Sequence, residues 1–411
     1  MKTIIIPPSK SISHRAIICA ALASGESIIE PIQLSGDIKA TLGCIKALGA
    51  DWYREGEGLL VKGNIRPPGD SAVFDCGESG STLRFLIPIA LMFPGQFRFI
   101  GHGRLMKRPI EPYLKAFEAK EEVAVSLKGD VLTAQGPIGP GIYKLPGEIS
   151  SQFITGLLLA LPLLDGDSEL ILTSALESKA YVDITISVMR SFGVQVENKG
   201  YQRFIIPGRQ IYLPCTYNVE ADLSGAAFFL VAGALGYPIE CFGLNQNSIQ
   251  GDREILNILN TCGARIEYSH EGAIRATAGT LTGIEVDARD IPDLVPPLVA
   301  LLCFCKGESR IINAGRLRMK ESDRLNALTQ EFNRLGAHIT QGKDWLRIKG
   351  VDTLRGGNVD SHNDHRIAMA LAVASVKSNG PVNIINPSCV DKSYPGFWKD
   401  FYGTERVSDH E

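Results

Sequence analysis

The sequence has no excess of positive charge and no cysteine pattern typical of a zinc site or a disulfide framework. Its 411 residues include 42 Lys plus Arg and 45 Asp plus Glu, which gives a formal net charge of −3. Nucleic-acid-binding proteins carry basic surfaces, so we expect no nucleic-acid partner, and any cationic site must be local. The nine cysteines are scattered and form no C-x-x-C pair, which is typical of proteins from a reducing compartment.

Long apolar runs and nucleotide-binding loops are also lacking. The apolar run in MKTIIIPPSK is too short for a signal peptide. The most lipid-like stretch, ITGLLLALPLL, falls short of the ~18 residues that a spanning helix needs. There is no GxxxxGK[ST] loop and no GxGxxG after a strand. We therefore expect a soluble cytoplasmic protein with no membrane partner and no cofactor.

The sequence does contain one pattern six times. Each copy begins with Ser or Asp, continues as an apolar run that ends near a glycine, and is followed by a short β-rich stretch and usually an amphipathic helix. The copies start at Ser11, Ser79, Ser150, Asp222, Asp293 and Asp364, at separations of 68, 71, 72, 71 and 71 residues. Such a period indicates a fold built from duplicated supersecondary units.

The repeat predicts an α/β (or α+β) fold with two domains. A helix that is apolar on all sides must be surrounded by protein, and the chain exceeds what one hydrophobic core usually supports. We therefore expect three units in each domain, around buried central helices. Because the strand TIIIPP precedes unit one and has no unit of its own, we assign residues 1–10 and 222–411 to one domain and 11–221 to the other, with the active site in the cleft between them.

The polar starts of the six helices are candidate anion sites. Free N–H groups and the positive end of the helix dipole favour anions. A single Ser or Asp in this position is most often only a cap, but capping does not require the neighbouring Lys10, Arg15, Arg84 and Arg366. Further cations occur where the amphipathic helices begin. This local cationic chemistry favours small phosphates and carboxylates.

Other interpretations of the polar residues are weaker. His362, Asp364 and His365 in HNDHR are conceivable metal ligands, but they begin an apolar helix, and we expect no metal. SGSTL lacks a partner His and Asp at a spacing that indicates a hydrolase triad. Glu321 could belong to a solvated helix start, and Asp293 could simply be an N-cap.

Nine motifs, in order and over the full length, resemble the 5-enolpyruvylshikimate-3-phosphate (EPSP) synthase family. They are PPSKSISHRAIICAALASGES, SGSTLR, RLMKRPI, ISSQF, SKAYVDIT, IPD, KESDR, NDHRIAMA and DKSYPGFW. The resemblance implies two domains, each an inside-out barrel of three βαβαββ units. It also implies transfer of the enolpyruvyl group of phosphoenolpyruvate to the 5-hydroxyl of shikimate 3-phosphate, with release of phosphate, in chorismate and aromatic amino-acid biosynthesis.

The resemblance also implies roles for individual residues, and a tetrahedral intermediate formed by addition and broken down by elimination. The catalytic residues would be Lys10, Asp293, Glu321 and Lys392. The residues that contact shikimate 3-phosphate would be Lys10, Ser11, Arg15, Ser150, Ser151, Gln152, Ser178, Tyr181, Asp293 and Lys320. The residues that contact phosphoenolpyruvate would be Lys10, Gly80, Arg108, Gln152, Arg324, Arg366 and Lys392. We expect a monomer whose partners are these two substrates.

Two alternatives remain, and three positions depart from the family pattern. Glu78, Ser81 and Phe85 stand where the family usually has Asn, Thr and Pro, so the response to glyphosate, a possible competitive inhibitor, is open. UDP-N-acetylglucosamine enolpyruvyl transferase has the same fold, but it uses a loop cysteine that RLMKRPI lacks. A non-catalytic anion-binding protein of this fold would have no reason to keep the catalytic residues together.

Overall fold

The structure, a computed structural model, describes residues 2–67, 69–118, 120 and 122–403, and it divides into two compact units. One comprises Lys10–Val219 and is here called the continuous unit; the other comprises the residues up to Ser9 together with those from Glu220 onward and is called the split unit. Both consist of helices and mixed sheets, so the predicted α/β class is confirmed. Among the described residues, no helix has the length and apolar character needed to cross a membrane.

The elements are numbered along the chain. The helices are α1 (Lys10–Leu22), α2 (Gly36–Ala47), α3 (Gly80–Ala90), α4 (Glu111–Phe117), α5 (Ser151–Ala160), α6 (Lys179–Ser191), α7 (Leu223–Ala234), α8 (Glu254–Cys262), α9 (Val295–Leu302), α10 (Arg324–Arg334), α11 (His365–Ala374) and α12 (Phe397–Tyr402). The strands are β1 (Lys2–Ile5), β2 (Gly25–Glu30), β3 (Asp51–Glu55), β4 (Gly58–Gly63), β5 (Ser71–Asp75), β6 (Gly95–Ile100), β7 (Ala124–Lys128), β8 (Val131–Gly136), β9 (Gly141–Leu145), β10 (Ser168–Leu172), β11 (Glu197–Lys199), β12 (Arg203–Ile206), β13 (Thr216–Asn218), β14 (Ile239–Phe242), β15 (Arg265–Tyr268), β16 (Ile274–Thr277), β17 (Glu285–Asp287), β18 (Glu308–Ile312), β19 (His338–Gln341), β20 (Leu346–Lys349), β21 (Gly357–Asp360) and β22 (Val382–Ile385).

The sheets repeat one strand order. The continuous unit has three four-stranded sheets, ordered β13-β2-β4-β3, β5-β6-β8-β7 and β9-β10-β12-β11. The split unit has β1-β14-β16-β15, β17-β18-β20-β19 and the parallel pair β21-β22. In each four-stranded sheet the first two strands are parallel and the others antiparallel, as in the pairing of Ser71 with Gln96 and of Gln96 with Gln135. Among the described residues, the sixth copy of the repeat therefore has the smallest sheet.

Two strands, β1 and β13, belong to one unit, whereas the helix that follows each of them along the sequence belongs to the other. Strand β1 precedes α1, yet it pairs in parallel with β14 of the split unit, with Lys2 opposite Ile239. Strand β13 precedes α7, yet it pairs in parallel with β2 of the continuous unit, with Thr216 opposite Ile28. Each unit thus completes its first sheet with a strand from the far end of its sequence.

The central helices α1, α3, α5, α7, α9 and α11 supply the interior of the two cores. Every residue of α7 and of α9 is buried, as expected of helices that are apolar on all sides. Beside them the amphipathic helices end as the sequence predicts. Gly263 after α8 and Gly336 after α10 have φ values of 98° and 92°, the left-handed conformation that glycine adopts at low cost after a helix.

Four of the six predicted helix starts are N-caps. Ser79, Ser150, Asp222 and Asp364 accept hydrogen bonds from backbone N–H groups in the first turns of α3, α5, α7 and α11. The prediction was wrong for Ser11, which lies inside α1, since that helix begins at Lys10.

The interpretation of Asp293 as an N-cap was also wrong. Asp293 lies in a 3₁₀ turn, Pro292–Leu294, that leads into α9. Helix α9 begins Val295-Pro296-Pro297, and prolines have no N–H group for a capping side chain to satisfy. The Asp293 carboxylate is therefore available for other contacts.

Candidate active site

In the split unit a carboxylate lies among three cations. Asp293 Oδ1 is 3.1 Å from Arg324 Nη1 and 3.6 Å from Lys320 Nζ, and Asp293 Oδ2 is 3.2 Å from Arg366 Nη2. Arg366 Nη1 also donates to the backbone oxygen of Asp293 (3.1 Å), and its Nη2 donates to Ser224 Oγ (2.9 Å). The 3₁₀ turn before α9, the first turn of α10 and the start of α11 thus converge on one carboxylate.

Arg324 is the most buried member of this cluster, at 1% exposure. Its Nε donates to Asp364 Oδ2 and its Nη2 to Glu321 Oε2, both at 2.8 Å. Asp364 is itself fully buried and caps α11. Its carboxylate thus accepts a hydrogen bond from the first turn of that helix and also compensates the positive charge of Arg324. The local sequence indicates Asp364 only as a helix start or a conceivable metal ligand, and it contains no signal for the pairing with Arg324, which lies 40 positions away.

The cluster shifts the pKa values of its members. Burial alone would raise the pKa of Asp293, but Arg366, Lys320 and Arg324 outweigh it and hold that pKa well below its ordinary value. Burial lowers the pKa of Lys320 to about 8, although Asp293 acts in the opposite direction. Burial alone would lower the pKa of Arg324, but Asp364 and Glu321 outweigh it and raise that pKa above its ordinary value. The cluster therefore holds an ionised Asp293 beside a lysine that titrates close to neutral pH.

Lys392 lies near the same helix start. It ends the 3₁₀ turn Pro387–Lys392, and its Nζ donates to the backbone oxygen of Asn363 at 2.7 Å. Asn363 immediately precedes Asp364, so Lys392 contacts the turn that begins α11. The backbone φ values of His362 and Asn363 in this turn are 52° and 54°, a conformation that few non-glycine residues adopt and that is found at functional sites.

In the continuous unit, Arg15 is a buried cation that donates its hydrogen bonds to neutral oxygens and lies over the Phe85 ring, 5.0 Å from the ring centre. Its Nε donates to Thr185 Oγ1 (2.7 Å) and its Nη1 to the backbone oxygen of Ser11 (2.6 Å). Its Nη2 donates to Thr155 Oγ1 (3.3 Å) and to the backbone oxygen of Tyr181 (3.1 Å). Burial lowers its pKa to about 10, against the influence of Tyr181. No local sequence pattern indicates Thr155 and Thr185, which hold this side chain in place.

The start of α1 presents a second cation. Lys10 is the first residue of α1, and its Nζ lies 2.6 Å from Asp37 Oδ2 in the first turn of α2. The two side chains are 17% and 13% exposed. This partly buried pair joins the starts of two helices.

The starts of α3 and α5 are joined by polar side chains. Arg84 Nη1 donates to Gln152 Oε1 (2.6 Å), and Gln152 Nε2 donates to Ser81 Oγ (3.0 Å). A methyl group on Gly80, the first residue of α3, would lie 2.7 Å from Arg108 Nη1. The Arg108 guanidinium therefore lies directly against the start of α3, and glycine allows this close approach.

Three predicted serines also lie at helix starts. Ser150 caps α5 by accepting from Gln152 N (3.3 Å), and Ser151 is the first residue of that helix. Ser178 precedes α6 with φ 59° and is buried, and Tyr181 lies in the first turn of α6. A serine in this left-handed conformation is uncommon and is more frequent at functional sites.

Each unit therefore gathers its own share of the predicted residues. The split unit holds Asp293, Lys320, Glu321, Arg324, Arg366 and Lys392. The continuous unit holds Lys10, Ser11, Arg15, Gly80, Arg108, Ser150, Ser151, Gln152, Ser178 and Tyr181. Within the described part of the chain, no group of three or more His, Cys, Asp or Glu side chains is arranged to hold a metal ion.

Solved structures define the class of fold. An EPSP synthase from Acinetobacter baumannii matches with a TM-score of 0.77 and 24% identity, over 98% of this chain and 95% of that one. The enolpyruvyl transferase NikO from Streptomyces tendae matches with a TM-score of 0.79 and 18% identity, over 98% of this chain and 94% of that one. The chain therefore has the fold of enolpyruvyl transferases.

Sequence relatives define the family. The family model for EPSP synthase (3-phosphoshikimate 1-carboxyvinyltransferase) matches residues 1–401. The 3-phosphoshikimate 1-carboxyvinyltransferase of Clostridium perfringens is 50% identical over 399 residues, 96% of this chain and 94% of that protein. The enzyme of the same name from Clostridium kluyveri is 47% identical over 397 residues, 96% and 93% of the two chains. The chain belongs to the EPSP synthase family, and the predicted enolpyruvyl transfer of the shikimate pathway is confirmed.

Proposed function

We propose that the two clusters described above hold the two substrates of this transfer. Shikimate 3-phosphate contacts Lys10, Ser11, Arg15, Ser150, Ser151, Gln152, Ser178, Tyr181, Asp293 and Lys320. Phosphoenolpyruvate contacts Lys10, Gly80, Arg108, Gln152, Arg324, Arg366 and Lys392. The observation that carries the proposal is the ionised Asp293 with Lys320, Arg324 and Arg366 around it, since it combines a hydrogen-bond acceptor with charges that match phosphate and carboxylate.

Arg15 supports the assignment of the shikimate 3-phosphate carboxylate. A buried guanidinium costs free energy unless a negative charge compensates it, and the described contacts of Arg15 are uncharged: four oxygens and the Phe85 ring. A ligand carboxylate would supply that compensation. Ser150 and Ser151 at the start of α5, with Ser178 at the start of α6, offer hydroxyl groups and the positive ends of two helix dipoles to the phosphate.

Arg324 and Arg366 would bind the carboxylate of phosphoenolpyruvate. In the structure Arg324 contacts three carboxylates, those of Asp293, Glu321 and Asp364. The substrate carboxylate would take the place of Asp293 or Glu321, while Asp364 keeps the guanidinium in position. This exchange releases a carboxylate for proton transfer at the moment the substrate binds.

The proposed reaction has two steps. The 5-hydroxyl oxygen of shikimate 3-phosphate bonds to C2 of phosphoenolpyruvate while C3 gains a proton, which gives a tetrahedral ketal. Loss of a proton from C3 then re-forms the double bond as the C2–O bond to phosphate breaks. Asp293 orients the hydroxyl and accepts its proton, and Glu321 and Lys392 exchange protons with C3 or the leaving phosphate. Because these groups lie in one cationic site, they titrate as a coupled set, and positioning with charge neutralisation supplies most of the rate enhancement.

The assignments draw on residues of both the continuous unit and the split unit, so in this proposal both units contribute to one active site. Glyphosate competes with phosphoenolpyruvate in this proposal, because both are small molecules that carry one carboxylate and one phosphate-like group. The enzyme acts as a monomer in the cytoplasm. The nine free cysteines, eight of them buried, fit a reducing compartment.

The test is release of phosphate from phosphoenolpyruvate by the purified protein, with and without shikimate 3-phosphate. Release is expected only when both are present; release without shikimate 3-phosphate would contradict the function. Lys392→Met and Glu321→Gln should each lower kcat by about 10²- to 10⁴-fold, as for lost acid–base groups. Lys349→Met and Glu271→Gln, at exposed positions, are the matched controls. Wild-type turnover in either site variant would refute its catalytic role.

A further inference from the structure

A buried chain of hydrogen bonds joins the first turns of α1 and α3 through the middle of α2. His14 Nδ1 lies 2.7 Å from Thr41 Oγ1, Thr41 Oγ1 lies 2.7 Å from Thr82 Oγ1, and Thr82 Oγ1 lies 2.7 Å from Ser79 Oγ. His14, Thr41 and Thr82 have no exposed surface, and Ser79 is 1% exposed. None of these four residues is among the proposed substrate contacts. Polar groups buried this deeply are costly unless their hydrogen bonds are specific.

The geometry fixes the direction of every hydrogen bond in this chain. Ser79 Oγ accepts from Thr82 N (3.2 Å) and from the Thr82 hydroxyl. A hydroxyl has one proton, so Thr82 can only accept from Thr41. Thr41 then has no proton left for the histidine and must accept from it. The ring of His14 therefore carries its proton on Nδ1.

The surroundings of His14 agree with this tautomer. Burial, with the nearby charges of Lys10 and Arg15, lowers the pKa of His14 well below its ordinary value, so the ring is neutral and has a single N–H. Nε2 is buried and has no hydrogen-bond partner in the described part of the chain. The one proton thus occupies the nitrogen that has an acceptor.

The other end of this series of hydrogen bonds is Ser79, at the start of α3. Both acceptor positions of Ser79 Oγ are used by Thr82, so the Ser79 proton points elsewhere, and among the described residues no acceptor receives it. Ser79 caps α3 next to Gly80, where helix N–H groups and the dipole already favour an anion. A buried donor without an acceptor at this position suits an anionic ligand.

We propose that His14 is a positioning residue for phosphoenolpyruvate: through Thr41 and Thr82 it holds Ser79 as a hydrogen-bond donor toward the phosphate at the start of α3. This inference rests on the proposed assignment of Gly80 to that phosphate. If every hydrogen bond in this series had the opposite direction, Ser79 would donate its proton to Thr82 and present a lone pair to the anion. The direction set at His14 therefore decides whether the start of α3 attracts or repels the phosphate at this atom.

The tautomer is tested by nitrogen-15 NMR of protein labelled at its seven histidines. The His14 signals are identified by their loss in His14→Asn. At neutral pH we expect a neutral ring with a protonated Nδ1 and an unprotonated Nε2. A charged ring, or a proton on Nε2, would overturn the proposed direction.

The effect on the substrate is tested by steady-state kinetics. His14→Leu and the near-isosteric Thr82→Val should raise KM for phosphoenolpyruvate by about tenfold and leave KM for shikimate 3-phosphate within about twofold, since a hydrogen bond to a charged group is among the stronger ones. His14→Asn should restore most of the affinity, because its amide nitrogen can donate to Thr41. Ser168→Ala, which removes another buried hydroxyl of the continuous unit that accepts a backbone N–H, is the control and should leave both KM values unchanged.

The outcomes separate this inference from the proposed function. If Gly80→Ala raises KM for phosphoenolpyruvate but Thr82→Val does not, the phosphate site stands and the role of His14 is refuted. If both Thr82→Val and Gly80→Ala alter KM for shikimate 3-phosphate instead, the assignment of the site to phosphoenolpyruvate is wrong. If His14→Asn is as impaired as His14→Leu, the histidine has only a packing role.

Discussion

Lys320 is a partly buried lysine of the Asp293 cluster, with its side chain 25% exposed, and its charge in the free protein depends on pH near neutrality. Burial lowers its pKa to about 8. The phosphate of shikimate 3-phosphate favours the charged form and raises that pKa again on binding. Above pH 8 we therefore expect binding to take up a proton, approaching one per ligand, and the Kd to increase with pH until the pKa of the complex is reached. Both the proton uptake and the pH dependence of Kd decrease as the pH falls below 8, because Lys320 is then increasingly charged before binding.

Calorimetric titration in buffers of different ionisation enthalpy measures this proton uptake. Lys320→Arg is the control, since arginine stays charged at these pH values and should abolish the uptake. Equal proton uptake by wild type and Lys320→Arg would show that another group titrates.

At the level of single residues, the sequence predicted which side chains carry charge but not which atoms meet. The resemblance pointed to Arg15 and Arg324, but Thr185 lies 170 positions from Arg15 and Asp364 lies 40 positions from Arg324. Thr185 is an ordinary helix residue in the sequence, and only packing of α6 against α1 gives it a role. A buried partner of this kind has no local sequence signal.

The close packing of α3 against α5 depends on one glycine. A methyl group on Gly156 would lie 2.2 Å from Tyr113 Oη and 2.4 Å from the backbone oxygen of Arg84, so Gly156→Ala must displace a helix or the tyrosine. We expect it to lower the free energy of unfolding by about 1–3 kcal/mol, as overpacking does. Denaturant unfolding of the purified variant measures this change.

Gly43 is the matched control for this prediction. It too lies inside a helix of the continuous unit, α2, but a methyl group there meets no atom within 4 Å. Gly43→Ala should therefore raise the free energy of unfolding by about 0.5–1 kcal/mol, the usual gain of alanine over glycine in a helix. If the two variants changed stability in the same direction, close packing would not be what requires Gly156.

At the level of elements, apolar runs and glycines predicted the central helices and several helix ends, but not every start. Ser and Asp are good N-caps only where the first turn has N–H groups to satisfy. At Asp293 the following prolines remove that requirement, and at Ser11 the helix begins one residue earlier. A repeat can thus keep the position of a polar residue while changing its role from cap to site residue.

At the level of the whole molecule, the period of the repeat predicted the succession of units because each unit contains the same order of helices and strands. Such a period does not show which sheet a strand joins. Strand β1 pairs with β14, more than 230 positions away, with Lys2 opposite Ile239. That pairing depends on unsatisfied edge hydrogen bonds of the split unit, which a local pattern does not contain.

The chain passes between its two units only twice, after Ser9 and after Val219, and two short connections can act as a hinge. Shikimate 3-phosphate is proposed to contact Arg15 and Ser151 of one unit and Asp293 and Lys320 of the other. A ligand that contacts both has higher affinity for the arrangement in which they meet, which is what a conformational shift requires. We expect small-angle X-ray scattering to show a smaller radius of gyration when shikimate 3-phosphate is added, and a weaker decrease in Lys320→Ala. Lys349→Met should behave as wild type, and an unchanged radius at saturating ligand would refute closure.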